Sequence, residues 1–332
     1  PLSTAETERL FQMVEHLRKT EDIAIVFISH RLQEVKHICN SITIMRNGRV
    51  VENGPLNPER SINSIVTQML GRSFDENFPK VQTQIGDVAF EVKDLYDMDG
   101  MVNGVSLYAR AGEIVGVSGL VGAGKTELSK TIFGDRRIKS GSVLLRGKEL
   151  KIGSPTDAVR SGIGLVPEER RKEGVLVDEP VAFNLVAASL SKYSNGIWLS
   201  KKKQLANADR FIASMGIKTP SPMQKVANLS GGNQQKVVVG KWLAADCDVY
   251  IFDEPTKGVD VGAKTDIFRL IGEIAAAGKC ALYFSSETDE ILSITDRVYV
   301  MFDGKVTAEL ETAKTNEDEI MFYSTGGQKN NE

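Results

Sequence analysis

Eight residues, Gly119-Leu120-Val121-Gly122-Ala123-Gly124-Lys125-Thr126, constrain what this chain can fold into more than any other stretch. They fit G-x-x-x-x-G-K-[ST] at every fixed position. The flanks fit as well. Glu113-Ile114-Val115-Gly116-Val117-Ser118 reads as a short buried strand, and Glu127 to Phe133 has helical apolar spacing, with Leu128, Ile132 and Phe133 on one side. Strand, glycine loop and helix in that order make a cradle for phosphates. The glycines let backbone N–H groups turn inward, and the helix N-terminus adds partial positive charge. Lys125 supplies a point charge for the β- and γ-phosphates, and Thr126 offers a hydroxyl to Mg²⁺. A glycine-rich turn beside a surface lysine would share the letters but not this setting.

A second element belongs with the first. Val249-Tyr250-Ile251-Phe252-Asp253-Glu254 reads as a strand buried on both faces that ends in two acids. Acids at a strand's carboxyl end lie where ligands of α/β sheets bind. Asp253 is placed to hold a Mg²⁺ shell, and Glu254 to orient or deprotonate an attacking water. Two solvated acids opening a turn before Pro255 is the bland alternative. A third segment, Leu229-Ser230-Gly231-Gly232-Asn233-Gln234-Gln235-Lys236, puts Ser230 at an N-cap and two glycines at a helix start that runs through Val239, Trp242 and Leu243. Such an end binds anions, although a capped helix after a loop reads the same way.

The 332 residues leave room for two domains. With 41% hydrophobic and 26% charged residues, the composition is that of a globular protein. A net charge of −3 and the lack of a basic arm argue against nucleic acid as partner. No apolar run approaches the ~20 residues of a membrane span. Cys39, Cys247 and Cys280 show no metal-type spacing and fit a reducing, cytosolic compartment.

The chain opens as if cut into a longer one. An amphipathic helix over Thr4–Lys19 precedes an expected buried strand, Ile23 to Ile28, then Ser29-His30, a helix over Leu32–Cys39 and a hairpin turning at Asn47-Gly48. The series returns near the other end. Phe284-Ser285-Ser286 lies 256 positions after Ile28-Ser29-His30, Glu290 after Glu34, and Asp303-Gly304-Lys305-Val306 after Asn47-Gly48-Arg49-Val50. The pattern is an internal duplication with a unit about one domain long. Residues 1–72 are then the tail of a first copy, 73–86 a linker and 87–328 a second copy with a helical region at about 170–245.

The three motifs together resemble the ATP-binding cassettes of ABC transporters. The resemblance covers nearly the whole chain and is strongest to the duplicated ATPase subunits of bacterial ribose/galactose/xylose importers. It is carried by Gly-Leu-Val-Gly-Ala-Gly-Lys-Thr-Glu-Leu, Val166-Pro167-Glu168-Glu169-Arg170, Leu-Ser-Gly-Gly-Asn-Gln-Gln-Lys, Asp253 to Lys264 and the ending Glu319 to Gly327. It implies an α/β fold: a P-loop NTPase cassette with a mixed sheet core and a helical signature subdomain, preceded by the tail of a first cassette. It implies ATP and Mg²⁺ as ligands. It also implies pairing with a first cassette, and partnership with a transmembrane sugar permease and through it a sugar-binding protein, at the cytoplasmic face of the membrane.

Carried over residue by residue, Ser230, Gly231 and Gly232 would touch the γ-phosphate held by the first copy, and His30 would be that copy's switch histidine. Asp260 matches the aspartate that communicates across the cassette dimer; Ser3 stands at its first-copy equivalent. Tyr96 is the candidate for the adenine-stacking aromatic. Glu168 stands where the family has a glutamine and could still reach Mg²⁺ or water. Ser286 stands where the second copy would have its histidine, and a hydroxyl does not supply imidazole's reach and proton exchange. The resemblance therefore implies MgATP binding by the second copy with slow or no turnover of its own, and a competent composite site of His30 and Ser230. The loop after Glu168 and the helices after Phe183 would dock the permease. Two other readings stay open: a non-transport ABC ATPase acting on ribosomes or nucleic acid, and a regulatory half that binds nucleotide without turnover.

Overall fold

The computed structural model describes residues 4–21, 23–29, 32–46, 48–70, 81, 83–196 and 198–327. They divide into two compact units, residues 1–79 with 258–265, and residues 80–257 with 266–332. His30, Ser3, most of the expected linker and the last five residues lie outside the described set.

The first unit runs α1 (Thr4–Thr20), α2 (Leu32–Ile38), β1 (Ser41–Arg46), β2 (Arg49–Pro55) and α3 (Ile62–Leu70). Strands β1 and β2 form an antiparallel hairpin. Alternation in β1 sends Ile42 and Ile44 to one face, and helical spacing puts Leu32 and Val35 on one side of α2. These four, with Leu56, Ile65 and Val66, make the unit's core.

The expected strand Ile23–Ile28 is not a strand. The segment is irregular, and Val26 and Ile28 are 87% and 93% exposed. An apolar run of this kind needs sheet neighbours on both sides. Among the described residues of the first unit the only strands are β1 and β2, which pair with each other.

The second unit carries two sheets. An antiparallel one is built from β3 (Val88–Asp97), β4 (Asn103–Arg110), β6 (Ile138–Leu145) and β7 (Lys148–Leu150) in the order β4-β3-β6-β7. The other contains β5 (Ile114–Ser118), β8 (Ile163–Val166), β11 (Val249–Asp253), β12 (Cys280–Phe284), β13 (Arg297–Phe302) and β14 (Lys305–Glu311), ordered β14-β13-β5-β12-β11-β8. It is parallel except for β14. Every residue of β5, β8, β11 and β12 is buried, as continuous apolar runs in a two-sided parallel sheet should be. The register pairs Asp253 with Phe284 and Phe284 with Val117. The carboxyl ends of β5, β11 and β12 therefore share one edge.

Helices α4 (Lys125–Ile132) and α5 (Pro155–Arg160) lie between β5 and β8 in the chain. Between β8 and β11 come α6 (Val181–Asn184), a two-residue hairpin β9 (Ser194–Asn195) and β10 (Trp198–Leu199), α7 (Lys201–Met215) and α8 (Gly231–Ala245). Then follow α9 (Val261–Ala276), α10 (Thr288–Ile294) and α11 (Glu317–Ser324). Cys247 and Cys280 are buried free thiols, and Cys39 is half-buried. No helix among the described residues is long and apolar enough to cross a membrane.

The elements of the first unit recur. Helix α2 and strands β1 and β2 begin and end 256 residues before α10, β13 and β14. Even the ladder irregularity repeats, between Ile44 and Met45 in β1 and between Val300 and Met301 in β13. In this correspondence Ala24–Ile28 matches β12. Hydrogen exchange should therefore separate two similar sequences. Amides of Cys280–Phe284 are expected to be strongly protected, and those of Ala24–Ile28 to exchange at near peptide rates. Comparable protection of both segments would contradict this fold.

Candidate nucleotide-binding site

The glycine loop joins β5 to α4, and its backbone shows why glycines are needed. Gly119 has φ +150°, and a Cβ there would lie 2.5 Å from the Met301 carbonyl oxygen. Gly124 has φ +96°, and its Cβ would lie 2.6 Å from the Met101 carbonyl oxygen. Both close approaches exclude a side chain. Leu120 and Val121 are exposed, while Ala123 is buried against the loop's interior side. The Lys125 ammonium turns back over the loop, donating to the Gly119 carbonyl at 2.7 Å and the Leu120 carbonyl at 3.1 Å. Burial pushes Lys125 below its ordinary pKa, and Glu254, Asp253 and Glu168 oppose that push.

Asp253 ends β11 with 1% of its surface exposed. The hydroxyls of Ser129 and Thr126 donate to its two oxygens at 2.8 and 3.3 Å. Burial nevertheless dominates and raises its pKa to about 6. Glu254, the next residue, has a left-handed backbone, φ +45°, uncommon for a residue with a Cβ. Its conformation is held from three sides. Its own N–H donates to the Phe284 carbonyl at 2.9 Å, its carbonyl accepts from the Lys257 N–H at 3.1 Å, and its carboxylate accepts from the Ser286 N–H at 2.8 Å. Burial raises the Glu254 pKa, while the hydroxyl and N–H of Ser286 and the charge of Lys125 pull it down.

Two contacts escaped the sequence reading. Lys257 forms an ion pair with Glu168. That bond, more than any other influence, holds Lys257 charged. Arg170 donates to the Lys257 carbonyl at 2.9 Å and so ties this pair to the loop after β8. The other is Glu290, a buried carboxylate on α10. It accepts from Thr256 at 2.7 Å, Ser285 at 3.0 Å and Tyr283. It thus fastens the turn carrying Glu254 to the turn carrying Ser286. Helical spacing from Thr126 could have pointed to Ser129; Lys257, separated from Glu168 by 89 positions, gave no local signal.

Ser230, Gly231, Gly232 and Tyr96, also expected at the site, make no hydrogen bond to this cluster among the described residues. Ser230 occupies the N-cap position of α8, but its hydroxyl does not cap the backbone. It accepts instead from the Asn233 side chain at 2.8 Å. Gly231 and Gly232 open the helix behind it. No hydrogen bond among the described residues joins this segment to the glycine loop. Asp260 accepts from the Ala263 N–H at 3.0 Å and caps α9. Tyr96 lies on β3, 40% exposed, with its hydroxyl end over Gly104 of β4. His30 lies outside the described residues.

A separate groove of about 990 Å³, lined by none of these site residues, has walls from Pro155–Arg160, Lys172–Leu176 and Asn184–Lys192. Phe133, Leu165 and Trp242 are among its apolar lining, and Lys192 and Lys241 among its charges. The Lys241 ammonium donates to the Gly174 carbonyl at 2.8 Å and sits 4.7 Å from the Trp242 ring centre. Burial lowers its pKa to about 8.

The donor set suits Mg²⁺ brought in with phosphates. No group of three or more His, Cys, Asp or Glu among the described residues could hold a metal alone. The Thr126 hydroxyl and the Asp253 carboxylate, adjacent at the loop, match a small ion that takes one or two protein oxygens and completes its shell with phosphate and water.

The family pattern described as ABC transporter matches residues 102–257. Over 326 residues the chain is 42% identical to the putative ribose/galactose/methyl galactoside import ATP-binding protein 1 of Rhizobium etli, covering 98% of this chain and 62% of that protein. It is 43% identical to ribose import ATP-binding protein RbsA 1 of Rubrobacter xylanophilus, covering 99% of this chain and 65% of the relative. With RbsA of Bacillus subtilis the figures are 40%, 98% and 66%. The chain thus spans less than two thirds of the length of these relatives. Among solved structures, the ADP conformation of MJ1267, an ATP-binding cassette of an ABC transporter, matches with a TM-score of 0.59 at 24% identity, over 71% of this chain and 94% of that one. That likeness concerns the fold.

Asp253 gives the site a pH signature. Its pKa is raised on folding, so the folded chain holds a proton that the unfolded chain releases between about pH 4 and 6. The stability it contributes is full below the lower value and is lost as pH rises through the upper one. Asp253→Asn removes the charge at nearly constant shape. It is expected to match the parent protein near pH 4 and to exceed it by about 3 kcal/mol at pH 7. Urea denaturation of both proteins across this range measures the difference; a gap that does not change with pH would refute it.

Proposed function

Because the chain belongs to the ABC transporter family of ATP-binding cassettes, we propose that it binds and hydrolyses MgATP to energise import of a sugar through a membrane permease. The observation that carries this reading is the meeting of Lys125, Thr126, Asp253 and Glu254 at one sheet edge. The loop N–H groups and Lys125 take the β- and γ-phosphates, and Thr126 and Asp253 hold the metal. Mg²⁺, when bound, offsets phosphate charge. Glu254, fixed by Ser286, orients the attacking water and accepts its proton. Tyr96 offers a half-exposed ring to the adenine.

Residues 1–72 act in this reading as the tail of a first cassette, 73–86 as linker and 87–328 as the second cassette. The recurrence of α2, β1 and β2 supports the division. Nucleotide is then sandwiched between cassettes, with His30 and the first body on one side and Ser230, Gly231 and Gly232 on the other. Asp260 communicates across the pair. The exposed Ser230 hydroxyl, unused as a cap, is free to meet a phosphate from outside. The second cassette's own site is slow, because Ser286 holds Glu254 but has no imidazole to exchange protons. Glu168, as lid residue, would turn toward the nucleotide only by loosening its pair with Lys257.

The groove formed by the loop after Glu168 and the helices after Phe183 suits a permease segment. The permease in turn receives sugar from a binding protein. A sugar of the ribose or galactose kind follows from what the relatives are named to import. The chain then sits peripherally at the cytoplasmic face of the membrane.

ATP binding and turnover by the purified chain test this. Lys125→Ala is expected to weaken MgATP binding at least tenfold, as losing a charged donor to phosphate costs about 1.5–3 kcal/mol. Parent turnover should be slow, and Ser286→His should raise it severalfold while leaving affinity nearly unchanged. Unaltered ATP affinity in Lys125→Ala would sink the nucleotide site. Fast parent turnover that Ser286→His does not improve would sink the division of labour between the two sites.

A further inference from the structure

Between Pro180 and Ala208 the chain carries four lysines and no acidic residue, within a molecule whose net charge is −3. The structure gathers three of them beside the most exposed aromatic ring among the described residues. Trp198 is 76% exposed on the β9–β10 hairpin. Lys201, Lys202 and Lys203 follow at the start of α7 and are exposed.

The hairpin is braced rather than loose. Lys203 donates to the Ser194 carbonyl at 3.3 Å and to the Asn195 side chain at 2.9 Å. The Ser200 N–H donates to the Tyr193 carbonyl at 2.9 Å, and the Tyr193 hydroxyl to Asn207 at 2.8 Å. Lys203 is thus spent on holding the indole in place. The ammonium groups of Lys201 and Lys202 make no hydrogen bond or ion pair among the described residues. Nothing in the fold of this unit uses the indole or these two charges, and a large exposed apolar ring needs an account.

We propose that this hairpin is a membrane-surface contact, with Trp198 entering the interfacial layer of an anionic bilayer and Lys201 and Lys202 resting on its lipid headgroups. Indole is the side chain best suited to that layer, apolar in body with one N–H for the wet side. Lysines next to it gain from the negative surface potential of anionic lipid. Position agrees: Ala187–Lys192, immediately before the hairpin, form a wall of the groove. A hairpin on the rim of that groove faces the bilayer when a permease segment fills it. The inference rests on the transport reading for this orientation alone.

Sedimentation with phosphatidylcholine vesicles, with and without phosphatidylglycerol, tests it on the chain by itself. The chain has two tryptophans, and Trp242 is 5% exposed in the core, so a blue shift of emission on vesicle binding reports Trp198. The expected result is sedimentation and a blue shift with anionic vesicles only. Added salt should weaken both. Trp198→Ala should abolish the shift and lower affinity roughly tenfold, and Lys201→Ala with Lys202→Ala should lower it about fivefold for each charge removed. ATP binding, measured in parallel, should stay at the parental level and show that the variants fold. Absence of vesicle binding by the parent overturns the inference, as does equal binding by the variants or retardation of an RNA or DNA duplex in place of vesicle binding. Because no permease takes part, such a failure leaves the transport reading standing; loss of ATP binding by Lys125→Ala is read separately.

Discussion

Everything at the site depends on one carboxylate kept out of water. Asp253 is buried at the end of β11, and two hydroxyls and the charges of Lys125, Lys130 and Lys257 only partly offset its desolvation. Around it stand Glu254 and Glu168, answered by Lys125 and Lys257. Three acids against two ammonium groups leave the cluster one negative charge in excess, before any phosphate arrives. A polyphosphate entering alone would meet that excess and would have to draw Lys125 off the loop carbonyls. Arriving with a divalent cation, it brings the charge the cluster lacks. This charge balance suits a phosphate group that arrives with its cation better than one that arrives alone.

The sheet makes this arrangement possible and was the most legible part of the chain. Val249–Phe252 and Ile114–Val117 announce buried parallel strands by having no polar face. Motifs at their ends were readable because a strand's carboxyl edge is where such motifs act. What stayed illegible depends on contacts between distant positions. Lys257 and Glu168 meet only because β8 and β11 are sheet neighbours. Glu290 gathers Thr256, Tyr283 and Ser285 across a strand, a turn and a helix. Neither spacing nor composition encodes those meetings. Ser230 does stand at the N-cap, as its position before a helix indicated, while the Asn233 amide that engages its hydroxyl was not readable.

Ile23–Ile28 failed differently. Its pattern is that of β12, since Ala24–Ile28 and Cys280–Phe284 are both unbroken runs of five apolar or aromatic residues. A strand is completed by its neighbours, however. β12 is flanked by β5 and β11, and the first unit offers the corresponding segment no such partners among its described residues. Helix α2 and the β1–β2 hairpin bury their apolar faces mainly against each other and α3, with Leu56, Phe27, Cys39 and Val261 beside them. They keep the form of their second-unit counterparts, α10, β13 and β14, down to the bulge. Local elements survive without a sheet; a central strand does not.

The same distinction extends to chemistry at Ser286, whose hydroxyl lacks an imidazole's reach and proton exchange. What fixes Glu254 is largely backbone: its own N–H on Phe284, its carbonyl on Lys257, and the Ser286 N–H on its carboxylate. Glu290 holds the two turns together from behind through Thr256, Tyr283 and Ser285 and does not depend on residue 286. A substitution at position 286 therefore leaves the acid where it stands and removes only what the side chain would add. Ligand geometry in this cassette is written in main chain and buried neighbours, and proton handling in one exposed side chain. The first can persist where the second is lost, because position 286 holds the Glu254 carboxylate through its main-chain N–H whatever its side chain.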